Sequence, residues 1–256
     1  HVFALCYYII ILYMKDNILL PISIVVAGLI IGAGFYFSRS VETTTKQGKP
    51  NSPTATQNQN QMQSQAYLLD TMREIDRNDH VLGSPDARIV VVEYSDPECA
   101  FCKMFHSTML TLMDEYGKSG NLSWVYRHFP ITEIHPNAFK KAEATECVAA
   151  IAGENKFWQF INMMYEKGAE DGSLPLSELS NIAKSVGVDE AKMRLCMEGG
   201  EMSARVGLDV NNAQELGFTG TPQSILIDRK TGEAYPIQGA FPYFQMKQAI
   251  DLILES

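Results

Sequence analysis

The sequence predicts an α/β fold in which a β-α-β unit and a β-β-α unit are separated by a block of helices. Three observations predict it. The continuous β-branched run at Arg88–Tyr94 is typical of a strand buried on both faces. Helical periodicity fills residues 136–216, and two strand-like segments joined by the turn residues 229–232 follow it. We therefore expect one domain at residues 66–256, with the helices inserted into an α/β core.

The first half of this domain is expected to begin with an amphipathic helix, because apolar residues between Ala66 and Arg77 recur at helical spacing. Residues 80–85, with Gly83 and Pro85, are expected to be a turn segment. The predicted elements that follow are a strand at Arg88–Tyr94, a helix at Phe101–Tyr116 ending at Gly117, and a strand at Leu122–His128 that Pro130 stops.

The second half begins with the helical block. Breaks at Gly153, at 172–175 and at Gly187 divide it into about four helices. After it we expect strands at Gln223–Asp228 and Glu233–Gln238 and a closing helix at Pro242–Leu254.

An apolar segment precedes the domain. Ile18–Phe37 is 20 residues without a charge, and at about 1.5 Å per residue it would span roughly 30 Å, the thickness of a bilayer core. The alternative is a cleaved signal peptide. The run is long for that, and aromatic residues 35–37 stand where a cleavage site needs small ones. We predict one uncleaved transmembrane helix.

The residues on either side of this segment are not expected to fold. Residues 1–17 are interpreted as an uncertain N-terminal extension, since the chain starts with His and Met14 would be a natural start. Residues 38–65 contain six Gln and almost no large apolar side chains, which predicts a disordered linker. As a flexible coil it would reach about 30 Å from the membrane.

The charge of the chain argues against nucleic acid as a partner. Residues 1–65 hold four of the 21 basic and two of the 30 acidic side chains, so the remaining domain carries a net charge of −11. No basic patch is evident in it.

Two cysteines, Cys99 and Cys102, come just after the first predicted strand and begin a helix. At a helix N-terminus a sulfur meets free backbone N–H groups and the positive end of the macrodipole, which favour the thiolate. Such a pair can be half of a zinc site, but a second Cys or His pair at similar spacing is missing from the sequence. We therefore predict a redox pair and no metal site.

Three further residues are candidates for the same chemistry. Glu93, six residues before Cys99, is either a buried acid that moves a proton to or from Cys102 or a carboxylate at a solvated strand edge. The Thr221–Pro222 bond can be cis or trans, because X–Pro bonds alone adopt cis readily. We expect an exposed Cys99 to attack, a covered Cys102 to resolve the mixed disulfide, and Glu98 to lie at the surface.

Three motifs in this order resemble those of DsbA-like thioredoxin-fold proteins, most closely the membrane-anchored DsbA/BdbD-type members. They are the run Glu93–Cys102, Tyr126–Pro130 with His135 and Pro136, and Gly217–Pro222. The resemblance covers about residues 80–256. Ala100 stands where many relatives carry Pro, and Phe101 stands where the enteric protein carries His, so the direction of exchange stays open.

The resemblance implies a site built from Cys99, Cys102 and a cis Pro222, with the backbone of Thr221 binding a substrate strand. It also makes plausible a second, structural disulfide between Cys147 and Cys196, the alternative being two buried free thiols. No cofactor is implied.

The function that follows is an extracytoplasmic thiol–disulfide oxidoreductase, anchored in the cytoplasmic membrane by a single pass, that introduces disulfides into secreted or membrane proteins with cysteine thiols. A quinone-linked membrane protein of the DsbB or VKOR type would re-oxidise it. The alternatives are a disulfide reductase or isomerase of the same fold and, in a different class, a copper-binding assembly factor.

Overall fold

A computed structural model describes residues 65–256. The predicted N-terminal extension, the transmembrane segment at 18–37 and nearly all of the linker lie outside the described residues and stay predictions. Within the described part of the chain, none of the helices combines the length and apolar character needed to cross a membrane.

The elements follow the predicted order. The strands are β1 (His80–Gly83), β2 (Ile89–Ser95), β3 (Leu122–His128), β4 (Gln223–Asp228) and β5 (Glu233–Gln238). The helices are α1 (Ala100–Leu112), continued by a π-helical turn at Met113–Gly117, α2 (Ala138–Ala152), α3 (Glu154–Lys167), α4 (Ser177–Ser185), α5 (Glu190–Gly199), α6 (Ser203–Glu215) and α7 (Tyr243–Glu255).

The strands form one sheet in the order β1-β3-β2-β4-β5. β2 lies in its centre, parallel to β3 and antiparallel to β4. All seven residues of β2 are buried, as expected for a strand covered on both faces. The end of β2 is therefore held in register by a neighbouring strand on each side. This fixes the position of the residues that follow Ser95.

Alternate residues of the central strands feed two apolar cores. Val91, Trp124 and Leu226 belong to the larger core, which also contains side chains of α1, α3 and α7. Val92 and Val125 belong to a smaller core on the opposite face, beneath α6. Each fully buried side chain of this size contributes about 1.5–3 kcal/mol to folding, so both faces anchor the sheet.

The predicted first helix is too long. Residues 65–71 are helical, but the chain leaves the helix before Arg77. Arg73 instead forms an ion pair with the buried Asp79. Asp79 also forms an ion pair with Arg127 of β3. These tertiary contacts outweigh the apolar periodicity that predicted a helix.

The segment predicted as a turn contains a strand. Residues 80–83 form β1, which pairs antiparallel with β3 at the edge of the sheet. Four residues are too few for an alternating pattern to identify a strand, and Gly83 and Pro85 suggested a turn throughout.

The helical block contains five helices rather than about four. The extra break is at Gly200, which ends α5 with a left-handed φ of 64° that glycine adopts readily. Cys147 of α2 and Cys196 of α5 are joined in a disulfide with Cα atoms 5.9 Å apart, as the family resemblance implied. The bond connects the two helices across this block.

Candidate active site

The two redox cysteines begin α1 directly beyond the central strand. After Ser95 a short turn is closed by the backbone N–H of Cys99, which donates to Asp96 O at 3.1 Å. Cys99 is the extended residue that precedes the helix, and Cys102 lies within its first turn. Backbone N–H groups of the helix N-terminus, those of Phe101 and Cys102, therefore lie near the sulfur of Cys99.

The thiols of Cys99 and Cys102 are unbonded and differ in exposure. Cys99 is 7 % exposed and Cys102 is fully buried. The expectation of an exposed Cys99 is therefore wrong. Cys99 is more accessible than Cys102, but the helix and the loop of Thr221 cover most of it. Cys99 is still the thiol that a partner can reach.

Hydrogen bonds around the two sulfurs separate their pKa values. Hydrogen bonds from the side chain of Cys102, the side chain of Thr221 and the backbone N–H groups of Cys102 and Phe101 lower the pKa of Cys99 to about 6, although burial acts in the opposite direction. Burial and the neighbouring Cys99 hold the pKa of Cys102 well above its usual range. At neutral pH Cys99 is therefore the thiolate and Cys102 the thiol.

Glu93 lies in the interior of the sheet and is fully buried. It pairs with Tyr126 on one side and Ser224 on the other, so the alternative of a solvated strand edge is wrong. Its Oε2 accepts a hydrogen bond from Trp124 Nε1 at 2.9 Å, and Oε1 has no partner among residues 65–256. Burial raises the pKa of Glu93 to about 7, so the carboxyl can hold or release a proton near neutral pH.

The Thr221–Pro222 loop faces Cys99 from the start of β4. Its peptide bond is cis, and the carbonyl oxygen of Thr221 lies 3.5 Å from Cys99 Sγ, from which it accepts a hydrogen bond when Cys99 is protonated. Pro222 offers no backbone N–H of its own to compete for the sulfur. The structure thus brings together Cys99, Cys102, Glu93, Thr221 and Pro222, which the sequence had singled out.

Asp96 holds the loop before the cysteines and was missed by the sequence analysis. Its carboxylate accepts hydrogen bonds from the backbone N–H of Ile131 and Glu98, each at 2.7 Å, and from His135 Nδ1 at 2.9 Å. Its own backbone N–H donates to the sulfur of Cys102 at 3.3 Å. Ile131 and His135 lie in a loop far from Asp96 in the sequence. Only His135, which belongs to one of the three family-like motifs, could have indicated this contact.

Glu98 is buried, contrary to the expectation that it lies at the surface. Its carboxylate accepts hydrogen bonds from the fully buried Lys141 Nζ at 2.7 Å and from the backbone N–H of Asn137 at 2.9 Å. Gly172, with φ +84°, approaches so closely that a Cβ there would lie 2.0 Å from Glu98 O. The helical block therefore contacts the active-site turn through Glu98.

A group of buried polar side chains lies on the Cys102 side of the site. The hydroxyl of Tyr165 contacts Ser95 Oγ at 3.2 Å and Tyr126 OH at 3.1 Å and donates to Asp96 O at 3.2 Å. His106 packs against Tyr165 and binds Asn162. Burial lowers the pKa of His106 to about 4, so its ring is neutral at physiological pH. Tyr165 is contributed by α3, which the sequence did not connect to the site.

Comparisons with known proteins agree with this geometry. The family model described as Thioredoxin matches residues 76–251. The oxidised BdbD of Bacillus subtilis superposes with a TM-score of 0.63 at 21 % identity, covering 72 % of this chain and 97 % of BdbD. DsbA2 of Pseudomonas aeruginosa superposes with a TM-score of 0.58 at 25 % identity, covering 71 % and 97 %.

Curated relatives match only over part of their length. A Na(+)/H(+) antiporter NhaA 1 of Salinispora arenicola is 29 % identical over 172 residues, which are 67 % of this chain and 25 % of the antiporter. The chain therefore spans about a quarter of that relative. The family match, by contrast, includes both cysteines and the cis-proline loop. The chain belongs to the thioredoxin family and has the DsbA-like form of its fold.

Proposed function

We propose, from its membership of the thioredoxin family, that this chain is a protein-disulfide oxidoreductase that introduces disulfides into other proteins through Cys99 and Cys102. The observation that carries this is the contrast between the two sulfurs. One stands at a helix N-terminus with its pKa lowered to about 6, while the other is buried with its pKa raised. A stabilised Cys99 thiolate favours the reduced pair, by about 1.4 kcal/mol per pKa unit, and makes the disulfide form an oxidant.

Oxidation of a substrate begins at Cys99. A substrate thiolate attacks Cys99 Sγ of the disulfide form, a bond between substrate sulfur and Cys99 forms, and the Cys99–Cys102 bond breaks. Cys102 leaves as a thiolate and takes up a proton. Attack at Cys99 is favoured because Cys102 is fully buried.

The second step releases the product. A second substrate thiolate attacks the substrate sulfur of the mixed disulfide, the substrate disulfide forms, and Cys99 leaves as the stabilised thiolate. The substrate loses two electrons and the Cys99–Cys102 pair gains them. Glu93 supplies the proton that Cys102 needs, because its own pKa near 7 allows transfer in either direction.

Substrates bind over the cis-proline loop. The backbone of Thr221 lies next to Cys99, where it can pair with an extended segment of the partner. Phe101 and Met104, both more than half exposed on α1, add apolar surface beside the nucleophile. This combination suits proteins with cysteine thiols in extended, partly apolar segments.

The domain works on the extracytoplasmic side of the cytoplasmic membrane, tethered by residues 18–37. Two features support this location: the uncharged 20-residue segment, and the Cys147–Cys196 disulfide, since such bonds persist outside the cytoplasm. Re-oxidation then falls to a quinone-linked membrane protein of the DsbB or VKOR type.

Single-cysteine variants test the assignment. The reduced full chain, in mild detergent, is mixed at pH 7 with a disulfide-bonded peptide. Cys102→Ser should accumulate a mixed disulfide through Cys99, because nothing resolves it, while Cys99→Ser should form none. In the opposite direction, one oxidised wild-type chain should convert one dithiol peptide to its disulfide, as followed by mass spectrometry.

Two results would point elsewhere. Fast reduction of the disulfide peptide by wild type, with no oxidation of the dithiol peptide, would favour a reductase or isomerase. Tight stoichiometric copper binding without any exchange would favour a copper-binding assembly factor.

A further inference from the structure

Three buried side chains converge at the edge of the sheet, apart from the two redox cysteines. His80 opens β1 opposite Tyr126, and His128 lies two residues beyond Tyr126 on the same face of β3. Glu146 of α2 packs over both imidazoles. The three side chains are 4 %, 0 % and 5 % exposed, so all of them are buried in the interior of the domain.

Their ligand atoms share one small volume. His80 Nε2 lies 3.1 Å and His128 Nε2 lies 3.2 Å from the same Oε1 of Glu146, and the three atoms all fall within 4.8 Å of one another. Zinc bonds to nitrogen and oxygen of about 2.0–2.2 Å place tetrahedral ligands about 3.3 Å apart. The two measured separations are close to this value.

Outer groups orient the ligands as they do around bound zinc. The far nitrogen of His80, Nδ1, lies 2.9 Å from Glu154 Oε2, and Glu154 is itself held by Trp158 Nε1 at 2.7 Å. A carboxylate on the far nitrogen is the usual partner of a metal-binding histidine. Thr145 Oγ1, 3.2 Å from His128 Nε2, offers a further oxygen.

The charges around the cluster bear on which cation fits. Glu146 and Glu154 face it with negative charge, while Arg205 of α6 stands 3.8 Å from Glu146 and also binds Asp209. Arg205 lies closer to Asp209, at 2.9 Å, than to Glu146, so the charges of the two glutamates are only partly offset by Arg205 and can balance a divalent ion. Two imidazoles and one carboxylate are the donors of His₂Glu zinc sites.

We propose that His80, His128 and Glu146 bind a divalent cation of the zinc class, with Glu154 as the residue that positions His80. The sequence predicted no metal site, because a second Cys or His pair at a spacing similar to that of Cys99 and Cys102 is missing from it. These ligands come from three separate elements.

The test measures Zn²⁺ binding to the full chain in mild detergent by calorimetry. Cys99 and Cys102 are first oxidised, so that their thiols cannot bind the ion. Wild type should bind one Zn²⁺ per chain. Co²⁺ in its place should show visible d–d bands without thiolate charge transfer.

Variants locate the ion. Glu154→Gln should weaken binding roughly 10- to 100-fold, as outer-group substitutions do, and Glu146→Gln and His128→Gln should weaken it more. His106→Gln is the matched control, because His106 is equally buried but bound to Asn162; it should bind Zn²⁺ as wild type does.

Two results would overturn the proposal: no stoichiometric Zn²⁺ binding by oxidised wild type, or unchanged affinity in Glu146→Gln. Where a variant does not fold, ¹⁵N NMR of the wild-type histidine rings decides, since Nε2 of His80 and His128 should shift on Zn²⁺ addition. Shifts confined to other histidines would contradict it. Exchange by Cys99 and Cys102 is read separately, so this proposal can fail while the proposed function stands.

Discussion

At the scale of single residues, the site depends on three acidic groups held at different pKa values in one buried space. Cys99 is stabilised as a thiolate by the hydrogen bonds at the helix start, whereas Cys102 and Glu93 are kept protonated chiefly by burial. Groups whose environments push their pKa values apart divide into nucleophile and proton donor. In the proposed function Cys99 therefore takes the first role and Glu93 the second.

Glu93 should make the domain less stable as the pH rises. The pKa of this carboxyl is raised from 4.5 to about 7 on folding, so the folded state holds its proton more tightly than the unfolded state. The stability it contributes is full below pH 4.5, falls as the pH rises to about 7, and levels off above it. Glu93→Gln should remove this dependence and stabilise the domain at pH 8 by on the order of 3 kcal/mol.

Urea unfolding of wild type and Glu93→Gln at pH 4.5 and pH 8 measures the difference. The amide keeps an oxygen for Trp124 Nε1, so packing is preserved. Equal free energies of unfolding for the two proteins at pH 8 would show that folding does not raise the pKa of Glu93. The oxidised form of the same variant should form mixed disulfides with substrate thiols at least about tenfold more slowly, because the amide cannot transfer a proton to Cys102 as its thiolate leaves.

At the scale of elements, the ion pair between Glu98 and Lys141 connects the active-site turn to α2. Lys141 is fully buried, so its ammonium group depends on Glu98 for compensation. Glu98→Gln should lower the free energy of unfolding by about 3–5 kcal/mol, the usual cost of leaving a buried charge unpaired. Urea unfolding at pH 7 checks this.

The double variant Glu98→Gln with Lys141→Met is the matched control for this pair. It removes the stranded charge while keeping an unbranched side chain in the same space, and it should recover most of the lost stability. If the double variant is as unstable as Glu98→Gln, the loss comes from packing rather than from the charge.

The elements also show what sequence patterns can and cannot predict. β3, β4 and β5 have the predicted bounds because clear turn residues flank them. β1 and the end of the 65–71 helix were missed, since both are determined by contacts to β3 and Arg127 that lie far along the chain. Gly200 divided the helical block where no break was expected.

The residues of the candidate site also divide into those that the sequence predicts and those that it does not. Cys99, Cys102, Glu93 and the Thr221–Pro222 loop could be identified because each belongs to a local motif. Asp96, Tyr165 and the burial of Glu98 could not, because their partners are contributed by the 129–135 loop and by the helical block. A local sequence motif identifies residues that act together with their near neighbours in the chain. It does not identify packing partners that are distant in the sequence.

At the scale of the whole molecule, the thioredoxin core and the helical block meet at the redox pair. The sheet positions Glu93 close enough to the thiols to raise the pKa of Cys102, α1 provides the N–H groups at Cys99, and the helical block contributes Lys141 and Tyr165. The redox behaviour of the pair is thus a property of the folded domain rather than of the two cysteines alone. An unfolded CxxC segment would have neither the lowered nor the raised pKa.

The redox equilibrium of Cys99 and Cys102 with glutathione tests this account most directly. The full chain is equilibrated at pH 7 with reduced and oxidised glutathione, and its free thiols are counted by alkylation and mass spectrometry. A stabilised Cys99 thiolate predicts a potential less negative than about −180 mV, the value of protein disulfide isomerase. A potential at or below about −270 mV, that of thioredoxin, would contradict the proposed oxidase.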